Sequence, residues 1–172
     1  MKKRDILENQ AKIVFLGIGS NLGIRKRNIE KAKFLLSEHN FDFLSVSSYY
    51  ETPSWPDPRK PKFLNIILKL KCYYNPLELL NICKSIETQL GRKKAKKNAP
   101  RICDLDIIDF NKLVSKKNSK INLPHNMMHK RNFVLFPLFE IQKNWIHPYK
   151  QIDVKTLISL LPDRDIRSIK QI

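Results

Sequence analysis

Two stretches of helical periodicity stand among four stretches of strand-like patterning, and their order is what most restricts how this chain can fold. Residues 12–17 carry Ile13, Val14, Phe15 and Leu16 in unbroken succession, the pattern of a buried strand, with Gly17, Gly19 and Ser20-Asn21 reading as a break and turn. Over residues 25–38, Ile29, Ala32, Leu35 and Leu36 fall at helical spacing, with Asn28, Glu30, Lys31 and Lys33 outside. One strand is expected from Phe41 to Thr52, followed by an extended loop with Pro53, Pro56, Pro58 and Pro61. Residues 63–73 alternate as another strand, with Leu64, Ile66, Leu68 and Leu70 on one face. Asn75-Pro76-Leu77-Glu78 then begins a second helix with a cap, a first-position proline and an early acid. Its buried stripe is Leu79, Leu80, Ile82, Cys83, Ile86 and Leu90, and Gly91 ends it. A fourth strand follows near Asp104, with Asn111-Lys112 turning into a hairpin arm at Leu113-Val114. Residues 127–141 are expected to be helical with a kink at Pro137, and 154–161 to form a last helix stopped by Pro162. This β-α-β-β-α-β order predicts a ferredoxin-like α+β sandwich with additional C-terminal helices and no internal repeat.

The chain has 172 residues, 42% of them hydrophobic, enough for one domain with its own core. Residues 12–172 are read as that domain and residues 1–11 as a loose N-terminal extension. Cys72, Cys83 and Cys103 form no C-x-x-C pair, so a reduced, cytoplasmic setting with core thiols is expected. No apolar signal segment or membrane-length apolar run is visible. The net charge of +17 suits nucleotides and other polyanions, although scattered lysines also describe an ordinary solvated surface. With no apolar stripe left over, a monomer is expected.

The run Arg101-Ile-Cys-Asp104-Leu-Asp106-Ile-Ile-Asp109-Phe110 carries the chemistry. Strand alternation puts Asp104 and Asp106 on one face and Asp109 on the other, with the first two Cα atoms roughly 6.6 Å apart. Two such acids can converge on small cations; alternatively, one faces solvent and the other caps a turn. Gly91-Arg-Lys-Lys-Ala-Lys-Lys-Asn-Ala-Pro100, directly upstream, is a basic loop suited to an anionic ligand, and the combination points to Mg²⁺-phosphate chemistry. The segment Gly17-Ile-Gly19-Ser-Asn21-Leu22-Gly23 is neither a dinucleotide fingerprint nor a P-loop; it admits a planar ligand or is a plain turn. Trp55, Phe63 and Asn65 could sandwich and read a flat heterocycle, or belong to the core. His125 and Arg131 could contact phosphate or be surface groups, and the His125/His129 spacing lacks further zinc ligands.

Six motifs in order strengthen this reading: Gly17-Ile-Gly-Ser-Asn-Leu22, Ser47-Ser-Tyr-Tyr-Glu-Thr-Pro53, Phe63-Leu-Asn65, Ile86-Glu-Thr-Gln-Leu-Gly-Arg92, Pro100-Arg-Ile-Cys-Asp-Leu-Asp-Ile107, and Leu123-Pro-His125 through Arg131-x-Phe133. Over residues 13–148 the chain resembles 6-hydroxymethyl-7,8-dihydropterin pyrophosphokinase of folate biosynthesis. The resemblance implies transfer of the β,γ-diphosphate of ATP to the pterin hydroxymethyl group with release of AMP, in a single pyrophosphokinase domain. It implies two Mg²⁺ ions on Asp104 and Asp106, with Arg92 and Arg101 catalytic beside them. It further implies ATP contacts at Lys84, Glu87, Arg92, Lys94, Arg101, Ile107, Lys120, Ile121, Asn122, His125 and Arg131. The pterin side would comprise Gly19, Thr52, Pro53, Ser54, Trp55, Phe63, Asn65 and Phe133. Asn98-Ala99 stands where some members carry Trp-Gly, and Lys93 or Lys94 where they carry a second loop arginine. Glycine at one end and charge throughout lead us to expect the loop over residues 92–99 to close on the substrates.

An RNA-binding module shares this element order and basic charge, but the aromatic signature is missing and the central strand would present Asp104 and Asp106 to phosphate. A fold without catalysis is disfavoured by intact Asp104, Asp106, Arg92 and Arg101. The expected partners are therefore small molecules, with neither nucleic acid nor membrane.

Overall fold

Leu64, Ile66, Leu68 and Leu70 do share one face of a strand, and what they pack on defines the architecture. The computed structural model describes residues 10–55, 57–92 and 99–172. Most of the expected N-terminal extension, Pro56, and the loop residues Lys93, Lys94 and Asn98 therefore lie outside the described residues. The elements are β1 (Lys12–Ser20), α1 (Arg25–Ser37), β2 (Phe41–Val46), β3 (Tyr50–Thr52), β4 (Phe63–Cys72), α2 (Pro76–Gln89) and β5 (Asp104–Phe110). A short 3₁₀ turn (Met128–Lys130), α3 (Asn132–Ile141), α4 (Val154–Ser159), α5 (Asp163–Ser168) and β6 (Lys170–Gln171) complete the chain. The sheet runs β5-β1-β4-β3-β6, with β2 also pairing β4, and its pairings are antiparallel.

Both faces of this sheet are covered, which is why β1 reads as an unbroken apolar run. Val14, Leu16 and Ile18 point towards α1 and α2, meeting Ile29, Ala32, Leu36, Leu79, Cys83 and Ile86. Phe15 points the other way, into a second cluster with Ile67, Ile108, Val134, Leu138, Trp145 and Leu157 beneath α3 and α4. The architecture is the expected α+β sandwich, with the additional helices closing its second face. α2 begins as its sequence indicates: Asn75 Oδ1 accepts from the Leu77 and Glu78 N–H groups at 3.0 Å, and Glu78 Oε2 accepts from Asn75 N–H at 2.7 Å. All three cysteines are free and buried.

Several expected elements differ. β1 runs through Gly17 and Gly19 to Ser20, because its backbone is paired on both sides and its glycines lie against neighbouring side chains. The strand expected over 41–52 is two. At the break Ser47 Oγ, rather than a main-chain carbonyl, accepts the Ile67 N–H at 2.9 Å and interrupts the ladder. Asn111 and Lys112 form a turn with φ of +50° and +59°, yet Leu113 and Val114 are exposed and form no hairpin strand. Asp109 Oδ1 takes the Lys112 N–H at 2.9 Å, and the chain then leaves the sheet. The helix expected over 127–141 is divided at Arg131, whose backbone is extended, and Pro137 is accommodated inside α3. The last expected helix ends at Ser159; α5 buries no residue and β6 spans two, so neither leaves a periodic signal.

Candidate active site

The site forms at the sheet end where β1 finishes and β5 begins. Gly17 lies opposite Asp106 and Gly19 opposite Asp104 in the antiparallel register, so both acids rise from one face beside residues without side chains. A Cβ at Gly19 would stand 2.8 Å from Asn65 Oδ1, and one at Gly17 would stand 3.3 Å from Ile108 Cδ1. Glycine keeps the floor open where the carboxylates emerge. Asp109 departs from expectation. The register steps from Leu16 opposite Ile107 to Phe15 opposite Asp109, leaving Ile108 as a bulged extra residue. That shift turns Asp109 to the same side as Ile108, where its Oδ2 accepts from Trp145 Nε1 at 2.7 Å in the second cluster.

Opposite charges converge on the two acids from different elements. Arg92 Nη1 and Arg101 Nη1 both reach Asp104 Oδ1, at 3.0 and 2.8 Å. Glu87, on the last turn of α2, also pairs with Arg92, while its Oε1 accepts the Leu105 N–H at 2.8 Å. Glu87 thereby ties the helix, the arginine and the start of β5 together, and burial pushes its carboxyl above the usual range. Around Asp106, Arg131 Nη1 lies 3.6 Å and His125 Nε2 3.8 Å from Oδ2. Burial, reinforced by the neighbouring Asp104, pushes the Asp106 carboxyl upwards. Burial likewise holds the His125 imidazole below its ordinary value, against the pull of Asp106.

These residues line a cleft of about 900 Å³. On its pterin side as inferred from sequence, Gly19, Trp55, Phe63, Asn65 and Phe133 line the wall. The Arg131 guanidinium lies 5.4 Å from the Trp55 ring centroid and 5.6 Å from that of Phe133, and its Nε is buried with no hydrogen-bond partner among the described residues. On the other side, Lys84, Glu87, Arg92, Arg101, His125 and Arg131 contribute. The acid pair, flanked by arginines and by an unpartnered buried donor, is a donor set that fits a hard divalent cation and a polyphosphate.

Other expected residues stand elsewhere. Thr52 lies behind the wall, its Oγ1 accepting from Asn65 Nδ2 at 3.4 Å; Pro53 and buried Ser54 follow it, outside the lining. The Ile107 side chain faces the α1/α2 core, since alternation turns it away from Asp106, and Ile121 packs on that same core. Lys120 and Asn122 flank Ile121 in the loop after β5 and do not line the cleft. Lys94 is outside the described residues. Sequence reading missed Asn21, which is buried. Its Oδ1 accepts the Arg101 N–H at 2.7 Å and its Nδ2 donates to Pro61 O at 3.2 Å, fixing the arginine's backbone to the proline loop. The sequence signal was a small polar pair, Ser20-Asn21, at a strand end, which is also the signal of a plain turn.

Comparison with known proteins places these features in a family context. Residues 15–143 match the family model described as 7,8-dihydro-6-hydroxymethylpterin-pyrophosphokinase (HPPK). A 2-amino-4-hydroxy-6-hydroxymethyldihydropteridine pyrophosphokinase of Aquifex aeolicus is 38% identical over 135 residues, covering 78% of this chain and 83% of that protein. The enzyme of the same name from Bacillus subtilis is 38% identical over 130 residues, covering 75% and 77%. The folic acid synthesis protein fol1 of Schizosaccharomyces pombe is 34% identical over 157 residues; they cover 91% of this chain but 21% of that protein. The Plasmodium falciparum HPPK-DHPS structure with pterin and p-hydroxybenzoate superposes with a TM-score of 0.74 at 16% identity, covering 95% of this chain and 47% of that one. That likeness is one of fold, and the chain spans about half of the larger polypeptide.

Proposed function

The chain belongs to the 7,8-dihydro-6-hydroxymethylpterin-pyrophosphokinase family, and from that premise we propose that it transfers the β,γ-diphosphate of ATP to 6-hydroxymethyl-7,8-dihydropterin, releasing AMP, in folate biosynthesis. The observation that carries this reading is the convergence of Arg92 and Arg101 on Asp104 beside Asp106, at the floor of one cleft large enough for two substrates. In the reaction the hydroxymethyl oxygen bonds to the β-phosphorus, the bond from that phosphorus to the α,β-bridging oxygen breaks, and AMP keeps that oxygen. The hydroxyl proton passes to solvent.

Asp104 and Asp106 would hold Mg²⁺, two ions in this reading, whose charge lowers the cost of deprotonating the hydroxyl and of bringing polyphosphate near carboxylates. The protein's own residues do the rest. Arg92 and Arg101 present planar forks able to follow negative charge onto the bridging oxygen. Glu87 and Asn21 fix where those forks start. Arg131 and His125 offer donors to nucleotide phosphate, the first with an Nε that has no partner among the described residues. Asn65, oriented by Thr52, faces the cleft with Phe63 and Phe133, an arrangement suited to reading the edge and face of a pterin. Lys84 and, from the basic loop, Lys94 would add charge on the nucleotide side.

Residues 12–172 act as one domain in this reading, supported by the single sheet that both apolar clusters share. We infer a monomer with small-molecule partners in a reduced, cytoplasmic setting, the last of which three free cysteines support. No helix among the described residues is long and apolar enough to cross a membrane. The test is incubation with ATP, Mg²⁺ and the pterin, resolving nucleotide products, beside an Asp104→Ala/Asp106→Ala variant. AMP and pterin diphosphate should form with the intact pair and fall by at least about a thousandfold without it; ADP as product would overturn the reading.

A further inference from the structure

The family model's match stops at residue 143, yet the last ten residues pack behind the cleft and bond to the neighbours of residues on both of its pterin-side walls. On one side, Asn132 opens α3 between Arg131 and Phe133 and is buried. Its Nδ2 donates to Asp165 O at 2.6 Å and Ser168 Oγ at 3.3 Å, both on α5, while its Oδ1 accepts the Phe133 N–H at 2.7 Å. One amide thus joins the terminal segment to the backbone of the residue whose ring lines the cleft. On the other side, β6 pairs with β3 at Glu51 and Tyr50, and Ile172 N–H donates to Tyr49 O at 2.9 Å. β3 ends at Thr52, the residue that orients Asn65. Gln171 Nε2 adds a bond to Ser48 Oγ at 2.9 Å. Ser48 in turn donates its N–H and hydroxyl to Glu140 on α3, so strand and helix are cross-tied below the strap.

We propose that residues 163–172 are a strap holding the two pterin-side walls at a fixed separation, and that Asn132 is the positioning residue through which it sets Phe133. The inference rests on the assignment of Phe133 and Asn65 to the pterin. An aromatic ring and an amide on separate elements recognise a flat heterocycle only while their spacing is held, and a neutral buried hydrogen bond is a short-range means of holding it. Asn132 adjoins Arg131 along the chain, but its side-chain hydrogen bonds go to the Phe133 backbone and to α5, and among the described residues no hydrogen bond of the strap reaches a nucleotide-side side chain, so the two substrates should feel its loss differently.

The experiment compares the full-length protein with Asn132→Asp, which keeps the acceptor for the Phe133 N–H but removes the donors to α5. KM for the pterin should rise about tenfold, roughly the net effect of losing the two hydrogen bonds that Nδ2 donates to α5, with KM for ATP and kcat changed less than about twofold. Pterin binding measured by its fluorescence should weaken in parallel. A merely structural role would lower the melting temperature and leave the ratio of the two KM values unchanged, and that result would overturn the strap. Should Asn132→Asp not fold, Ile172→Pro removes the terminal N–H from an exposed residue, with a smaller rise in the same KM expected, about threefold; no change there also overturns it. If the unmodified protein neither binds nor converts the pterin, the proposed function itself fails, and the strap with it. If it does both while the variants match it, the strap alone fails.

Discussion

At Gly19 the site turns on one methyl group. A Cβ there would stand 2.8 Å from Asn65 Oδ1, and Asn65 is buried and bonded to Thr52, so it has little room to yield. Gly19→Ala should leave the fold intact, with the melting temperature lowered by a few degrees at most, and raise KM for the pterin by about tenfold or more; steady-state kinetics at saturating ATP would show it. That Asp104 and Asp106 share a face is legible in the sequence because a two-residue spacing within a strand is itself a statement about geometry, whereas Arg101 is marked only by closing the basic loop ahead of that strand. Asn21 is not legible, because its role depends on Arg101 and Pro61, far away in the chain. The Asp109 direction was misread because alternation presumes an uninterrupted ladder, and the extra residue at Ile108 is visible only in the pairing with β1.

Among the elements, those with a local cause were readable and those set by their neighbours were not. α2 carries its own start signal in the Asn75 side chain and Glu78. Asn75→Ala should destabilise the protein by about 1 kcal/mol, leaving two first-turn N–H groups without their acceptor; urea denaturation with an unchanged m-value would confirm a loss of that size. The break between β2 and β3, by contrast, follows from a serine hydroxyl replacing a carbonyl opposite Ile67, which nothing in the local sequence demands. α3 similarly keeps Pro137 inside it because burial against the second cluster outweighs the lost backbone bond. β6 is too short for periodicity and exists through its pairing with β3.

For the molecule as a whole, two apolar clusters on opposite faces of one sheet mean that stability and activity respond to different perturbations. His147 illustrates the first. It is buried beside Trp145 and His129, its Nδ1 accepts the Tyr149 and Lys150 N–H groups, and burial, with His129 and Lys150, holds its pKa down to about 4. Because the unfolded imidazole titrates near 6.5, the unfolded chain takes up a proton that the folded one refuses, and stability falls as pH drops from there towards 4. About 2 kcal/mol should be lost through this group between pH 7 and pH 5, and His147→Gln should flatten that part of the denaturation profile; an unchanged slope would refute the assignment. The bulge at Ile108 has a consequence on this scale too. It lets one strand keep two phases, the first half answering to chemistry and the second to the packing around Trp145. Deleting Ile108 would force those phases to agree, so the strand could satisfy its ligands or its core, but not both.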